Sequence, residues 1–354
     1  MKKSYSFLIP FLALGAISLG ACKKKDKNVV FDRTLLSYGD VNATESREIS
    51  LNQLDDLIDN KDNFLLVITS SGCSCWMTFE RNLNAYISEY NILCYRVSYN
   101  QIKDVASAYG LTKLKDSNTT FTIFKDGALK VSINSDNDSD YMYDKKTFYS
   151  WMDEKVIRPT CYYISVIDYD RIKASNKSAV VYFARSGCGD CSSINKGIFQ
   201  SYVKSHTDSG KIYILDCQDY YRRPTDPDYA DYLDFKNEMG MSNVNNPVYG
   251  YDSGVFPFFS FIQNGEYKSG AVVYNDNVEK IDNKFYVTHS YYSEDRVSSL
   301  DYTSTVLVGT ELSQSDVYEG EGYVIWKQSA ADRLYEPILK SFLDYALPKV
   351  TFEF

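Results

Sequence analysis

Two cysteines spaced Cys-x-x-Cys, Cys188 and Cys191, are the residues best placed to do chemistry in this chain. Thiols so spaced lie within bonding reach of one another across a single helical turn, which suits reversible disulfide formation. The same spacing also occurs in half of a zinc site. The pair is framed as Ser186-Gly187-Cys188-Gly189-Asp190-Cys191-Ser192. Before it, Ala179 to Ala184 is short, apolar and β-prone, and reads as a buried strand. After it, Ile194, Ile198, Tyr202 and Val203 recur at helical spacing. The cysteines therefore fall where a strand gives way to a helix. A helix N-terminus presents unpaired N–H groups and partial positive charge, which favour a thiolate over a thiol. Thiol redox chemistry is the leading expectation. Zinc lacks ligands, because His206 and His289 are the only histidines and no second Cys-x-x-Cys is present.

The 354 residues are 44% hydrophobic, enough for a sizeable core divided between two domains. A net charge of -9, with no long basic stripe outside the N-terminus, argues against nucleic acid as a partner. Tyrosine stands out at 32 residues and is read as a Tyr- and Ser-rich surface, with a peptide- or glycan-binding aromatic face as the alternative. Met1-Lys2-Lys3 precedes an apolar run from Phe7 to Leu19 and then Leu19-Gly20-Ala21-Cys22, the pattern of a secretory signal with a core too short for an ordinary membrane span. Leu-Gly-Ala-Cys resembles the bacterial lipobox, which implies cleavage before Cys22 and its acylation. Residues 1–21 are thus expected to be a lipoprotein signal peptide and 22–45 a flexible tether, with Lys23, Lys24, Lys25 and Lys27 read as a solvated spacer and contact with anionic lipid headgroups as the alternative. The implied location is the bacterial cell envelope, lipid-anchored and extracytoplasmic, where disulfides persist.

The elements that would position the cysteines occur twice. Leu51, Leu54, Leu57 and Ile58 give a short helix and Phe64 to Thr69 a buried strand. Ser71-Gly72-Cys73-Ser74-Cys75-Trp76 then turns into a second helix. A shift of 115 residues lays Ile49 on Ile164, Leu65 on Val180, Cys73 on Cys188, Phe79 on Ile194 and Leu83 on Ile198 without a gap, so a duplicated unit is expected. Further along the first copy, Ile92 to Val97 reads as a strand and Val105 to Tyr109 as part of a helix. Phe121 to Phe124 and Leu129 to Val131 read as strands joined by Lys125-Asp126-Gly127, and a closing helix carries Phe148, Trp151, Met152 and Val156. The second copy adds a helix near Tyr229 to Met239, a strand from Phe258 to Ile262 with its Asn264-Gly265 turn, and a final helix containing Pro337. That helix should kink or begin late. Extra strands, Thr305 to Val308 among them, are expected in 275–328.

This order, with Cys-x-x-Cys at the strand-to-helix turn and Val255-Phe256-Pro257-Phe258 before a strand and turn, resembles the thioredoxin fold. The resemblance implies an α/β protein of two tandem thioredoxin-like domains, each a central mixed sheet flanked by helices. They would span 46–157, with a degenerate site, and 158–354, with insertions at about 219–254 and 275–328. It implies Cys188 as nucleophile and Cys191 as resolving thiol, with Phe256, Pro257, Gly189 and Asp190 meeting the substrate. Pro257, if cis, would turn the Phe256 backbone toward an extended chain. It implies no cofactor beyond the redox-active disulfide. The partners it implies are exported Cys-containing proteins or a membrane redox protein.

The chain departs from the family's pattern at several positions. Gly187 replaces the usual tryptophan and Tyr182 the buried acid, leaving proton removal from Cys191 to water or another group. Asp190 should raise the Cys188 pKa and Arg185 oppose it, so the site is expected to be a weaker oxidant than the family's strong oxidases. In the first copy Cys75 aligns with Asp190, Trp76 with Cys191, and Thr119 with the proline. Cys73, Cys75 and Cys217 are secondary thiol candidates, whereas Cys94 reads as a buried apolar residue and Cys161 has no evident partner. The expected function is a membrane-anchored thiol–disulfide oxidoreductase, reductase or isomerase rather than strong oxidase. The alternative is a non-enzymatic lipoprotein binding a protein or peptide, with Cys188–Cys191 a structural disulfide.

Overall fold

The computed structural model describes residues 32–70, 74–206, 210–241, 256–272, 277–288 and 309–354. In chain order these begin with strands β1 (Thr34–Leu35), β2 (Gly39–Asp40) and β3 (Arg47–Glu48), then α1 (Leu51–Asp59), β4 (Phe64–Thr69), α2 (Ser74–Tyr90) and β5 (Cys94–Ser98). Next come α3 (Tyr99–Ile102), β6 (Thr120–Lys125), β7 (Ala128–Asn134), α4 (Ser139–Tyr143), α5 (Lys145–Lys155) and β8 (Val156–Ile157). The chain continues with β9 (Cys161–Ile164), α6 (Val166–Ala174), β10 (Ala179–Ala184), α7 (Gly189–Lys196), α8 (Ile198–Ser205) and β11 (Ile212–Asp216). It then forms α9 (Tyr229–Glu238), β12 (Phe258–Gln263) and β13 (Glu266–Val272).

Two mixed sheets result. The first runs β3-β5-β4-β6-β7 and the second β2-β9-β11-β10-β12-β13. In each, the strands up to β4 or β10 are parallel and the last two antiparallel. β4 and β10 are central and buried on both faces, so their sequences are continuous apolar runs rather than alternating ones. Leu65 and Val67 pack under Phe79, Leu83, Tyr86 and Ile87 of α2, while Phe64, Leu66 and Ile68 pack toward Leu54 and Ile102. Val180 and Tyr182 meet Ile194, Ile198 and Phe199, while Val181 and Phe183 meet Tyr169 and Ile172.

The local devices also match across the two sheets. Ser50 and Ser165 each cap a helix and close a capping box, with Gln53 and Asp168 respectively. The turns Asp126-Gly127 and Asn264-Gly265 have positive φ at both residues, as a tight hairpin requires. Each glycine is pressed against the end of a helix: a Cβ would sit 2.3 Å from the Ile58 carbonyl at Gly127 and 2.4 Å from the Lys173 carbonyl at Gly265.

Several expectations are corrected. The tether expected at 22–45 does not extend through its described part. Leu36 is buried, β1 pairs with β8, and β2 joins the edge of the second sheet beside β9. Of the two readings of the C-terminal helix, the late start is the one corrected, since Gln328–Ala346 begins nine residues before Pro337 and includes it. Burial of Ala331 and Tyr335 before the proline and Ile338, Leu339 and Phe342 after it outweighs one forfeited hydrogen bond. The tyrosines are not a surface feature alone. Tyr86, Tyr169, Tyr182, Tyr213 and Tyr335 are fully buried, and the hydroxyls of Tyr169 and Tyr213 donate to the Met239 and Phe352 carbonyls.

The inserted stretches are partly structured. The helix expected near Tyr229 is α9. Within 275–328 lie β14 (Asn277–Ile281), β15 (Lys284–Thr288), β16 (Glu311–Leu312), β17 (Val317–Gly320) and β18 (Tyr323–Trp326). They form one three-stranded sheet and one hairpin. Thr305 to Val308 lie outside the described residues.

Candidate thiol site

Cys188 stands at the N-cap of α7, just past the end of β10. Its Sγ accepts a hydrogen bond from the Cys191 backbone N–H at 3.4 Å, taking the place a serine or aspartate oxygen fills in an ordinary cap. The turn is pinned from the neighbouring strand. Asp216 Oδ1 accepts from the Ser186 and Gln218 backbone N–H groups at 3.1 and 3.0 Å, and Gln218 Oε1 accepts from the Gly187 N–H at 2.9 Å. Both cysteines are free thiols, Cys188 at 8% exposure and Cys191 at 1%.

The two thiols are electrically unequal. Cys188 is pulled down to about 6, chiefly by a hydrogen bond from the Cys191 side chain and further by the Cys191 backbone N–H, against partial burial. Asp190 raises it and Arg185 lowers it, the signs expected from sequence, but hydrogen bonding from Cys191 outweighs both. The same hydrogen bond, together with burial, pushes Cys191 far above an ordinary thiol. The guanidinium of Arg185 lies 3.9 Å over the Tyr221 ring.

Gly189 and Asp190 are exposed, and no heavy atom lies within 4 Å of the position a Cβ would take on Gly189. The Phe256–Pro257 peptide is cis, Pro257 is buried and Phe256 half-buried. The next residue, Phe258, pairs with Phe183 of β10, so Pro257 stands at the end of the sheet from which the Cys188 turn departs. The structure thus brings Cys188, Cys191, Gly189, Asp190 and the Phe256-Pro257 pair to one end of one sheet.

The other candidates fare differently. Cys22 and Cys73 lie outside the described residues, as does the side chain of Cys75, the second residue of α2. Trp76, at the register position of Cys191, packs edge-on to Phe79. Thr119 is fully buried and donates its N–H to Ser135 Oγ at 3.1 Å. Cys217 does follow β11, but it packs with Val181, Phe183 and Leu215 on the face of the sheet opposite Ile194 of α7, and burial pushes its thiol up. Cys94 and Cys161 are buried. Among the described residues, no cluster of three or more His, Cys, Asp or Glu side chains is arranged to hold a metal ion.

Sequence reasoning missed what lies behind Cys191. A cavity of about 250 Å³ opens there, walled by Tyr38, Asn60, Asp62 and Tyr95 from the first half of the chain and Cys191, Asn195, Lys196 and Asp216 from the second. Asp62 is 7% exposed, and Gln200 Nε2 donates to its Oδ1 at 3.4 Å. Burial raises the Asp62 carboxyl to about 6, with Lys204, Ser37, Gln200 and Lys196 opposing. Tyr182 is buried, its hydroxyl donates to Asn195 Oδ1 at 3.0 Å, and burial holds the phenol well above its ordinary value. Nothing in the local sequence around Asp62 marks it. Only the docking of the halves does.

In sequence, no family model and no curated protein matches the chain. Solved structures do. A thioredoxin mutant from Halobacterium salinarum NRC-1 is 16% identical over 34% of this chain and 97% of its own, with a TM-score of 0.27. Mitochondrial thioredoxin 3 from Saccharomyces cerevisiae, in its oxidized form, is 16% identical over 35% of this chain and 97% of its own, with a TM-score of 0.23. Human ERp44 in its zinc-bound form is 15% identical over 49% of this chain and 45% of its own, with a TM-score of 0.25. The chain has distant structural similarity to thioredoxin-fold proteins over about a third to a half of its length.

Proposed function

We propose that the chain is a thiol–disulfide oxidoreductase acting on exported proteins, built from two tandem thioredoxin-like domains of which the second carries the working site. The observation that supports this most is the inequality of the thiol pair. Cys188 caps a helix with its sulfur and is shifted toward the thiolate at neutral pH, while Cys191, one turn along, is held as a thiol. Such a pair has an attacking and a resolving member. The Cys188 thiolate attacks one sulfur of a substrate disulfide and expels the other as a thiolate, forming a mixed disulfide. Cys191, once deprotonated, attacks Cys188 Sγ and expels the second substrate sulfur. The substrate gains two electrons and the chain is left with a Cys188–Cys191 disulfide, which a membrane or envelope redox partner must reduce for turnover.

The open surface at Gly189 and Asp190 and the half-buried Phe256 offer the place for an extended segment of substrate. Anchoring through an acylated Cys22, on the extracytoplasmic side of a bacterial membrane, would keep the site among such substrates. Insulin reduction by the full-length protein, compared with Cys188→Ser, tests the assignment, and equal activity in the two would end it. Cys22→Ala should release the protein from membranes, and continued binding would end the lipid-anchor reading.

A further inference from the structure

The exchange proposed above requires Cys191 to lose a proton at a buried position. Tyr182 cannot take it, since its hydroxyl is already donating to Asn195 and burial keeps it neutral. Asp190 is exposed and does not line the cavity behind Cys191. Asp216 does line it, but its Oδ1 is occupied by two backbone N–H groups that hold the thiol turn in place.

We infer that Asp62, a residue of the first half, accepts the Cys191 proton through water in the cavity between the halves, so that the first domain completes the second domain's site. The inference rests on the oxidoreductase reading. Cys191 and Asp62 face the same cavity, whose 250 Å³ has room for several waters among polar walls. The proton passes from Cys191 Sγ to water and from water to the Asp62 carboxylate. The sulfur left as thiolate forms the Cys188–Cys191 bond as the bond from Cys188 to substrate breaks, and the departing substrate thiolate is protonated from solvent.

The groups around this route suit the task. Burial places the Asp62 carboxyl near 6, close to the range where a proton acceptor works best at neutral pH. Lys204 and Lys196 keep it from rising further. Tyr38, Tyr95 and Tyr163 line the walls as phenols held neutral by burial, so none competes as a base. On the far side of Cys191, Asp190 opposes its deprotonation, which makes an acceptor in the cavity more necessary.

The test is a single-turnover reaction of the reduced full-length protein with dithiobis(nitrobenzoate). The first release of nitrothiobenzoate reports attack by Cys188, and the second reports resolution by Cys191. In the wild type, the rate of the second phase should rise through an inflection near pH 6, where Asp62 ionises. Asp62→Asn should lose the inflection and slow that phase on the order of tenfold or more at neutral pH. Slowing by the same factor at every pH with the inflection retained would mark Asp62 as merely structural and overturn the inference, as would no slowing. Ser192→Leu, which fills the cavity beside Cys191 and leaves Asp62 untouched, should give the same loss, and a wild-type profile would overturn the water route. If instead the wild type shows no first phase, or Cys188→Ser releases nitrothiobenzoate equally, the oxidoreductase reading itself falls and takes the inference with it.

Discussion

The two halves of the chain share a framework almost element for element. α1 and α6, β4 and β10, and α2 and the α7–α8 pair all begin 115 residues apart. What differs is concentrated at the ends of the strands. Trp76 stands where Cys191 is, and a buried Thr119 where Pro257 is. In addition, α2 runs unbroken past Asn82, whereas Gly197 divides the corresponding helix into two. Asn82 is engaged by the Met142 and Tyr143 carbonyls of its own half. A Cβ on Gly197, by contrast, would meet the Ser193 carbonyl at 3.2 Å and Asp332 of the C-terminal helix at 3.4 Å. The framework therefore survives on apolar periodicity and turn chemistry, while the two halves part at a few positions at one edge of it.

Five measurements would show whether that contrast holds. Cys188→Ser should lower insulin reduction on the order of 10³-fold or more, whereas Cys75→Ser in the first half should leave it within about twofold. A collapse in Cys75→Ser would mean both halves carry chemistry. In urea denaturation, Phe79→Ala should cost about 3–5 kcal/mol, and Ile194→Ala, at the same register in the second half, about 2–5 kcal/mol. A near-neutral result at either site would mean that its core is not packed as described.

Asp62→Asn should change how stability depends on pH. The folded carboxyl titrates near 6, above its unfolded value, so its protonated form stabilises the fold at low pH and that contribution is lost as pH rises through about 6. Relative to the variant, the wild type should lose on the order of 2 kcal/mol between about pH 4 and pH 8. Identical pH dependence in both would show that the Asp62 environment is wrongly described.

Alkylation of Cys188 should have a midpoint below the ordinary thiol value. Asp190→Asn should move it lower and Arg185→Gln higher, and movement in the opposite directions would reverse the assigned electrostatics. Smallest of all, Lys204→Ala, which removes a half-exposed ion pair to Asp126 across the two halves at 2.8 Å, should change stability by less than about 1 kcal/mol. A larger loss would mean that the junction depends on this pair.

Much of the framework was legible because it rests on local signals. The buried strands are uninterrupted apolar runs, the helices after them carry residues such as Phe79 and Leu83 at helical spacing, and Asp126-Gly127 and Asn264-Gly265 can hardly be anything but turns. The Cys188 setting was legible for the same reason. β1 and β2 were not, because two-residue strands show no period and are fixed only by distant partners. Which of the two readings of the C-terminal helix would hold was not legible either, since its start before Pro337 rests on tertiary burial on both sides that overrides the local penalty. Asp62 and its cavity required the docking of one half on the other, which no local pattern encodes. The same holds for Cys217, whose position after β11 suggested the site while the alternation of side chains sent its sulfur to the other face.

The short strand Gly39–Asp40 has a further consequence. It lies along β9, which would otherwise be the outermost strand of the second sheet, and β1 just before it is bound to the closing residues of the first half. A chain trimmed to begin at residue 46, the domain start suggested by sequence, would leave Tyr162 and Tyr163 on an open β edge able to recruit a strand from another molecule. The N-terminal segment thus acts as a selvedge, keeping the second sheet from unravelling into its neighbours.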